Sequence, residues 1–432
     1  MKAAVSSQRF LYSHEHETDM TIHTQNDAPQ SNPGTPGSDA ASGIAANALN
    51  ASSSLSDYQD LFQLDPDFIH LNHAAVAPWP RATQQAVCQF AQENARQGSW
   101  AYPQWLQTEQ TVRDQLCRVI GVEDSATIAL VKNTSEALSF VAYGLTWQEG
   151  DNIVISNQEF PSNRVVWESL KNQGVEVRAA DITHCKDVEA ALIAQCDNNT
   201  RLLSISAVQY ASGLKLDLAR LGESCRQRNI LICVDAIQQA GALPLALQQC
   251  DVDFAMADGH KWLLGPEGLG FFYVKPEAMN RLKLTQYGWH MLDKPGDFDN
   301  ESWQIADTAR RFECGSPNMT GVHALHASLA IIEQVGIDTI AARILDNSQF
   351  LIQQLQSIPG VSVVTPPSPQ RHAGIVSFRS ADKDLNALFQ RLSQQRIFCA
   401  LRSNAIRLSP HFYTPRQHLE LCLQHIRDFA NA

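Results

Sequence analysis

The chain has 432 residues, 44% of them apolar and 18% charged, the balance of a soluble globular protein with a sizeable core. Lysine plus arginine number 33 against 45 acidic residues, a formal net charge of −12. That disfavours nucleic acid or an anionic membrane as partner, because both call for a basic surface.

The ten cysteines lie scattered from Cys88 to Cys422 with no C-x-x-C pair, which argues against a zinc site or a disulfide framework and for reduced thiols in a cytoplasmic setting. No apolar run approaches the roughly eighteen residues of a membrane span. The N-terminus lacks a basic region followed by an apolar core, so no secretory signal is expected. Residues 1–55, rich in Ser, Asn, Ala, Pro and Gly, have little to bury and are expected to form a disordered tail. Order is expected to begin near residues 58–64.

Beyond the tail, short apolar runs alternate with amphipathic segments. Residues 128–131, 152–156, 202–207, 230–234, 254–257 and 271–274 suit buried strands, and 187–195 and 218–228 suit helices. The alternation predicts an α/β domain around a mostly parallel sheet, with ligands beyond the carboxyl ends of its strands. A loop-rich stretch then leads to a helix over 320–335. A smaller C-terminal α+β domain follows, with strands at 374–378 and 405–409 and a closing helix over 415–429.

The strongest chemical signal is a pair of strand ends. One apolar run finishes at Asp235, followed three positions on by Gln238; the next finishes at Asp258-Gly259-His260-Lys261. Two such strands can present a carboxylate and an amine at one edge of a sheet. Pyridoxal 5′-phosphate (PLP) chemistry asks for that pair: a lysine to hold the cofactor and a carboxylate to keep its pyridine nitrogen protonated. Asn133-Thr134-Ser135 opens a helix directly after a strand, where free backbone N–H groups and two hydroxyls make a phosphate site or a simple N-cap.

Together these segments resemble the class V aminotransferase family of fold-type-I PLP enzymes, which includes cysteine desulfurases, C–S lyases, kynureninases and isopenicillin-epimerase-like proteins. The resemblance spans about residues 69–426. It implies Lys261 as the Schiff-base lysine preceded by His260, Asp235 as the pyridinium partner, and Gln238 on the cofactor's phenolic oxygen. It also implies Thr134 and Ser135 on the phosphate. Gln158-Glu159-Phe160-Pro161-Ser162 resembles the kynureninase-like branch, which makes Phe160 the ring stacked on the pyridine, with Tyr210 in reach. Arg311-Phe312-Glu313-Cys314-Gly315-Ser316 matches the segment whose serine reaches the neighbouring subunit's phosphate, so Ser316 implies a homodimer. Arg407, on the late strand 405–409, matches the clamp on the substrate carboxylate. His73 falls in the N-terminal segment that borders the substrate.

The implied organisation is an N-terminal segment 56–80 near the site, a large PLP-binding domain 81–310, and a bridging helix with a small domain over 311–432. Two departures stand out. Asp258 replaces a serine that touches phosphate in many relatives, so its carboxylate is expected to turn away or find another donor. No loop carrying a desulfurase's nucleophilic cysteine is recognisable, since Cys399 runs within eight residues into the Arg407 strand. The expected function is a PLP enzyme acting at Cα of an amino acid, by transamination or β-elimination. A cysteine desulfurase and a non-catalytic PLP-binding protein are the alternatives.

Overall fold

Residues 58–299 and 301–432 are described by a computed structural model of the chain; the expected tail at 1–55 lies outside these residues. In chain order the strands are β1 (Ile69–His70), β2 (Ile128–Val131), β3 (Asn152–Ser156), β4 (Glu176–Ala180), β5 (Thr200–Ser206), β6 (Leu231–Asp235), β7 (Phe254–Asp258) and β8 (Gly270–Val274). Then come β9 (Val361–Val363), β10 (Val376–Ser380), β11 (Ile397–Phe398), β12 (Ala400–Arg402) and β13 (Ala405–Leu408).

Seven strands form the main sheet in the order β2-β8-β7-β6-β5-β3-β4. Strands β4, β3, β5, β6 and β7 run parallel, and β8 runs antiparallel to both β7 and β2. The inner strands are apolar throughout because helices cover both faces. Ile232, Val234 and Ala255 pack into one hydrophobic cluster, and Leu231, Cys233, Phe254 and Met256 into the other, as alternation along a strand demands. A second, antiparallel sheet, β12-β13-β10-β9, has its own cluster with the closing helix Arg416–Asn431.

Several helices start where the sequence supplies a cap. Asn133 accepts from the Glu136 amide, Asp187 from Ala190 and Asp217 from Arg220. The expected helix over 320–335 is Met319–Val335; it packs on Arg81–Gln97 and Tyr102–Ile120. Gly336, at φ 84°, breaks it from the next helix, Ile337–Gln356, which leads to the second sheet. Among the features that escape sequence reading are the two-residue parallel pairing of β1 with β11 and the edge strand β4, of which only Ala180 is buried. No helix among the described residues is long and apolar enough to cross a membrane.

Candidate active site

The parallel strands deliver their carboxyl ends to one edge. Register pairs Ser206 of β5 with Asp235 of β6, and Asp235 with Met256 of β7. The residues just past these ends, together with the start of the Thr134–Gly144 helix and the β12–β13 hairpin, line a cavity of about 260 Å³. Lys261, Asp235, Gln238, Thr134, Ser135, Phe160, Tyr210, His260 and Arg407 all lie on its wall. Nine of the eleven residues singled out from sequence therefore meet here, and the two absent are His73 and Ser316.

Lys261 stands in the turn after β7. Burial lowers its amine from 10.5 to about 8, against the pull of Asp235, so near neutral pH a sizeable fraction is uncharged. Its Nζ lies 5.7 Å from the centroid of the Phe160 ring. Asp235 is 2% exposed, and burial raises its carboxyl to about 6, while the Ile237 amide, donating at 3.0 Å, and Lys261 draw it down.

Gln238 is held from both ends: it donates to the Ala74 carbonyl at 3.0 Å and accepts from Trp262 Nε1 at 2.9 Å. One amide proton remains for another acceptor. Phe160 and Tyr210 meet edge to face, with centroids 5.2 Å apart. The Tyr210 loop turns back at Gly213, φ 72°, where an added Cβ would stand 2.4 Å from the Ile375 carbonyl oxygen. Only glycine fits that close approach to the second sheet.

At the other end Thr134, the first residue of its helix, is buried and its Oγ1 has no hydrogen-bond partner. Exposed Ser135 donates to Ser162 at 2.9 Å. Asp258, the departure noted in the sequence, is buried beside them. Its Oδ1 lies 3.1 Å from His260 Nδ1, yet neither atom makes an aligned hydrogen bond.

Arg407 on β13 is buried, and burial together with Arg402 lowers its guanidinium to about 10. One terminal nitrogen donates to the Tyr210 carbonyl at 2.8 Å and the other to Asn72 Oδ1 at 3.4 Å; Nε has no partner. Arg402 joins the wall from the β12–β13 hairpin, whose two turn residues, Ser403 and Asn404, both have positive φ. Sequence reading missed Arg402. Its signal is the Ser403-Asn404 turn, which folds the chain so that Arg402 and Arg407, five positions apart, sit on the two neighbouring strands of a tight hairpin.

The structure corrects the expectation for His73. Its ring is fully buried, Nδ1 donates to the Ser409 carbonyl at 2.8 Å, and Nε2 accepts from the Tyr413 hydroxyl at 2.7 Å. Both nitrogens are used in packing, and Ala74 and Ala75 border the cavity instead. Ser316 is exposed and away from this wall within its own chain. Cys399 is buried just before β12, and burial pushes its thiol up to about 12. Away from the cavity, Glu109, His290 and Glu313 cluster closely enough to suggest metal ligands, but the Arg113 guanidinium, 2.6 Å from Glu109 and 2.7 Å from Glu313, already supplies the positive charge there.

The chain belongs to the aminotransferase class-V family, whose model matches residues 69–403. Among individual proteins, it is similar to a probable cysteine desulfurase of Methanothermobacter thermautotrophicus, 26% identical over 84% of this chain and 95% of that one. It is also similar to the isopenicillin N epimerase of Streptomyces clavuligerus, 28% identical over 83% and 94%. Among solved structures, C-DES carrying glycine covalently linked to its PLP cofactor superposes with a TM-score of 0.78 at 25% identity, covering 84% of this chain and 97% of that one. C-DES in complex with its product cysteine persulfide is described as a cystine C–S lyase; it superposes at 0.77, again at 25% identity, covering 83% and 97%.

The expected α/β fold, family, PLP cofactor and enzymatic character thus hold. The residues present fit PLP on their own chemistry. An orphaned buried hydroxyl at a helix start suits a phosphate, a buried carboxyl suits a pyridinium, and a partly neutral amine suits an aldehyde.

Proposed function

We propose that this protein is a PLP-dependent lyase that eliminates a sulfur-bearing group from the β-carbon of an α-amino acid without using a thiol of its own. The observation that carries this reading is that no cysteine among the described residues lines the cavity, with Cys399 buried and its thiol held protonated.

Bound in the cavity, PLP supplies an electron sink for bond breaking at the substrate's Cα. Lys261 Nζ would hold the cofactor and its amine would serve as the base for the Cα proton; an amine lowered to about 8 suits both tasks. Asp235 lies in the dry interior beneath, where a carboxylate gains most from a pyridinium N–H. Gln238 gives its spare amide proton to the phenolic oxygen. Thr134 and Ser135, with the helix N–H groups, hold the phosphate; Phe160 and Tyr210 cover the ring and exclude water. Arg407 takes the substrate carboxylate through Nε and the outer faces of its terminal nitrogens, its plane fixed by Tyr210 and Asn72. The reading extends to a cytoplasmic homodimer in which Ser316 completes the partner's phosphate site.

Product analysis with cysteine and cystine tests the reaction type. Elimination breaks the Cβ–S bond and releases the sulfur fragment; the remaining three-carbon enamine hydrolyses to pyruvate and ammonia. Alanine as the organic product marks a desulfurase, and a sulfur-retaining keto acid (3-mercaptopyruvate from cysteine), formed only with a keto-acid acceptor, marks transamination.

A further inference from the structure

The aromatic pair over Lys261 stands on two loops from different strand ends, and one side chain joins them. Glu159 is buried between β3 and β5 and forms no ion pair among the described residues. A buried carboxylate is costly unless its lone pairs are met by donors, and here five donors meet it. Ser156 Oγ at 2.7 Å and Gln209 Nε2 at 2.8 Å donate to one oxygen. Asn163 Nδ2 at 2.8 Å, the Ser206 amide at 3.0 Å and the Ser206 hydroxyl donate to the other.

The residue after Glu159 is Phe160, and the residue after Gln209 is Tyr210. The Glu159–Gln209 bond therefore ties together the two backbone points that carry the edge-to-face rings. The tie is rigid on both sides. Gln209 is fully buried, with its amide on the Leu214 carbonyl and its own carbonyl accepting from Gly213. Asn163 is likewise fully buried, accepting from Ser204 Oγ at 2.6 Å and Trp167 Nε1 at 3.0 Å. The Asn163 amide also closes the turn on the Phe160 carbonyl at 2.9 Å.

We propose that Glu159 is a positioning residue of the cofactor site, its carboxylate locking Phe160 and Tyr210 into one clamp over Lys261. This rests on the reading of Phe160 as the ring that faces the cofactor. Without the carboxylate the two loops keep the ring contact and two longer bonds, Gln209 Nε2 to Ser156 Oγ at 3.2 Å and Ser212 Oγ to Gln158 Oε1 at 3.3 Å, and lose the shorter bond that ties the residues next to both rings. Glu159 also lies close enough to Asp235 to oppose its ionisation, so its charge is felt at the floor of the same cavity.

The test is a double-mutant cycle read by PLP titration of the apoprotein, with visible circular dichroism of the bound cofactor and apoprotein melting measured alongside. Phe160→Ala is expected to weaken PLP about tenfold and to shrink the visible dichroism, the loss of one aromatic stack. Glu159→Ala is expected to do the same. The double variant is expected to be no worse than either, because both substitutions remove one clamp. If Glu159→Ala does not fold, Gln209→Leu cuts the tie, together with the weaker bond to Ser156, while leaving the carboxylate its other donors, and carries the same expectation. Losses that multiply to about a hundredfold, or a Glu159 variant with wild-type affinity and dichroism, overturn the proposal and leave Phe160's role standing. A Phe160→Ala variant with unchanged affinity instead overturns the stacking reading on which the proposal rests.

Discussion

Asp235 closes β6 and Lys261 stands three residues past the end of the adjacent parallel strand β7, and each alters the other's proton affinity: the carboxyl sits at about 6 and the amine at about 8. Both shifts begin in burial, which disfavours either charge alone, and each is partly undone by the opposite charge of the other. The pair is primed for a ligand that brings a cation to the carboxylate and an aldehyde to the amine.

The amine value predicts how apoprotein captures its cofactor. Only the neutral amine attacks, so the capture rate should rise with pH and level off above about 8, rather than climb to the 10.5 of an ordinary lysine. Stopped-flow absorbance against pH measures it. Lys261→Ala should leave no lysine that borohydride can fix to the cofactor, and trapping at another lysine contradicts the assignment.

Replacing Asp235 with Asn should retain PLP weakly and lose most turnover. The lost charge-assisted contact is worth on the order of 1.5–3 kcal/mol, about ten- to a hundredfold in affinity. Near wild-type kcat in this variant would remove Asp235 from its role as pyridinium partner.

Three buried imidazoles predict an acid limit to stability. Burial lowers His70 to about 4, His411 to about 3 and His73 well below its ordinary 6.5, with the rings 4.4 Å (His70–His73) and 5.1 Å (His73–His411) apart. The folded state keeps all three neutral while the unfolded chain takes up protons below 6.5. Their contribution is therefore intact above pH 6.5 and is lost as pH falls toward 4, roughly 3 kcal/mol for His70 alone. Urea midpoints between pH 7.5 and 4.5 should fall, less steeply in His70→Gln; parallel slopes would contradict this.

Ser316 is exposed in its own chain, so its proposed role needs a second copy. Light scattering should find the active species to be at least a dimer. Ser316→Ala should weaken phosphate-dependent binding, so PLP affinity falls while pyridoxal affinity holds. A fully active monomer contradicts it.

Much of the site was legible because chemistry and strand ends coincide in the sequence. Asp235 and Lys261 each follow an apolar run, so a charge at a strand end marked both, while Arg407 was reached through the resemblance of its strand to the family's. His73 misled for the converse reason: its partners Ser409 and Tyr413 lie more than 300 residues away, and nothing local announces that its ring is already satisfied. Arg402 was missed because it is exposed at a hairpin tip, where an arginine is ordinary. Strand β4 escaped because an edge strand with a half-exposed face lacks the continuous apolar run that marked its neighbours.

Arg407 and Cys399 separate the reaction types. Arg407→Ala should raise KM steeply through lost carboxylate binding. Cys399→Ser should keep turnover, because a buried thiol raised to about 12 cannot act as a nucleophile at neutral pH.

The most direct measurement is intact-protein and peptide mass spectrometry of the PLP-loaded enzyme during turnover of cysteine or cystine. Elimination without an enzyme thiol predicts that Cys399 and the other nine cysteines keep their unmodified mass while pyruvate accumulates. A persulfide on Cys399, together with an inactive Cys399→Ser variant, would contradict the account and make the protein a desulfurase.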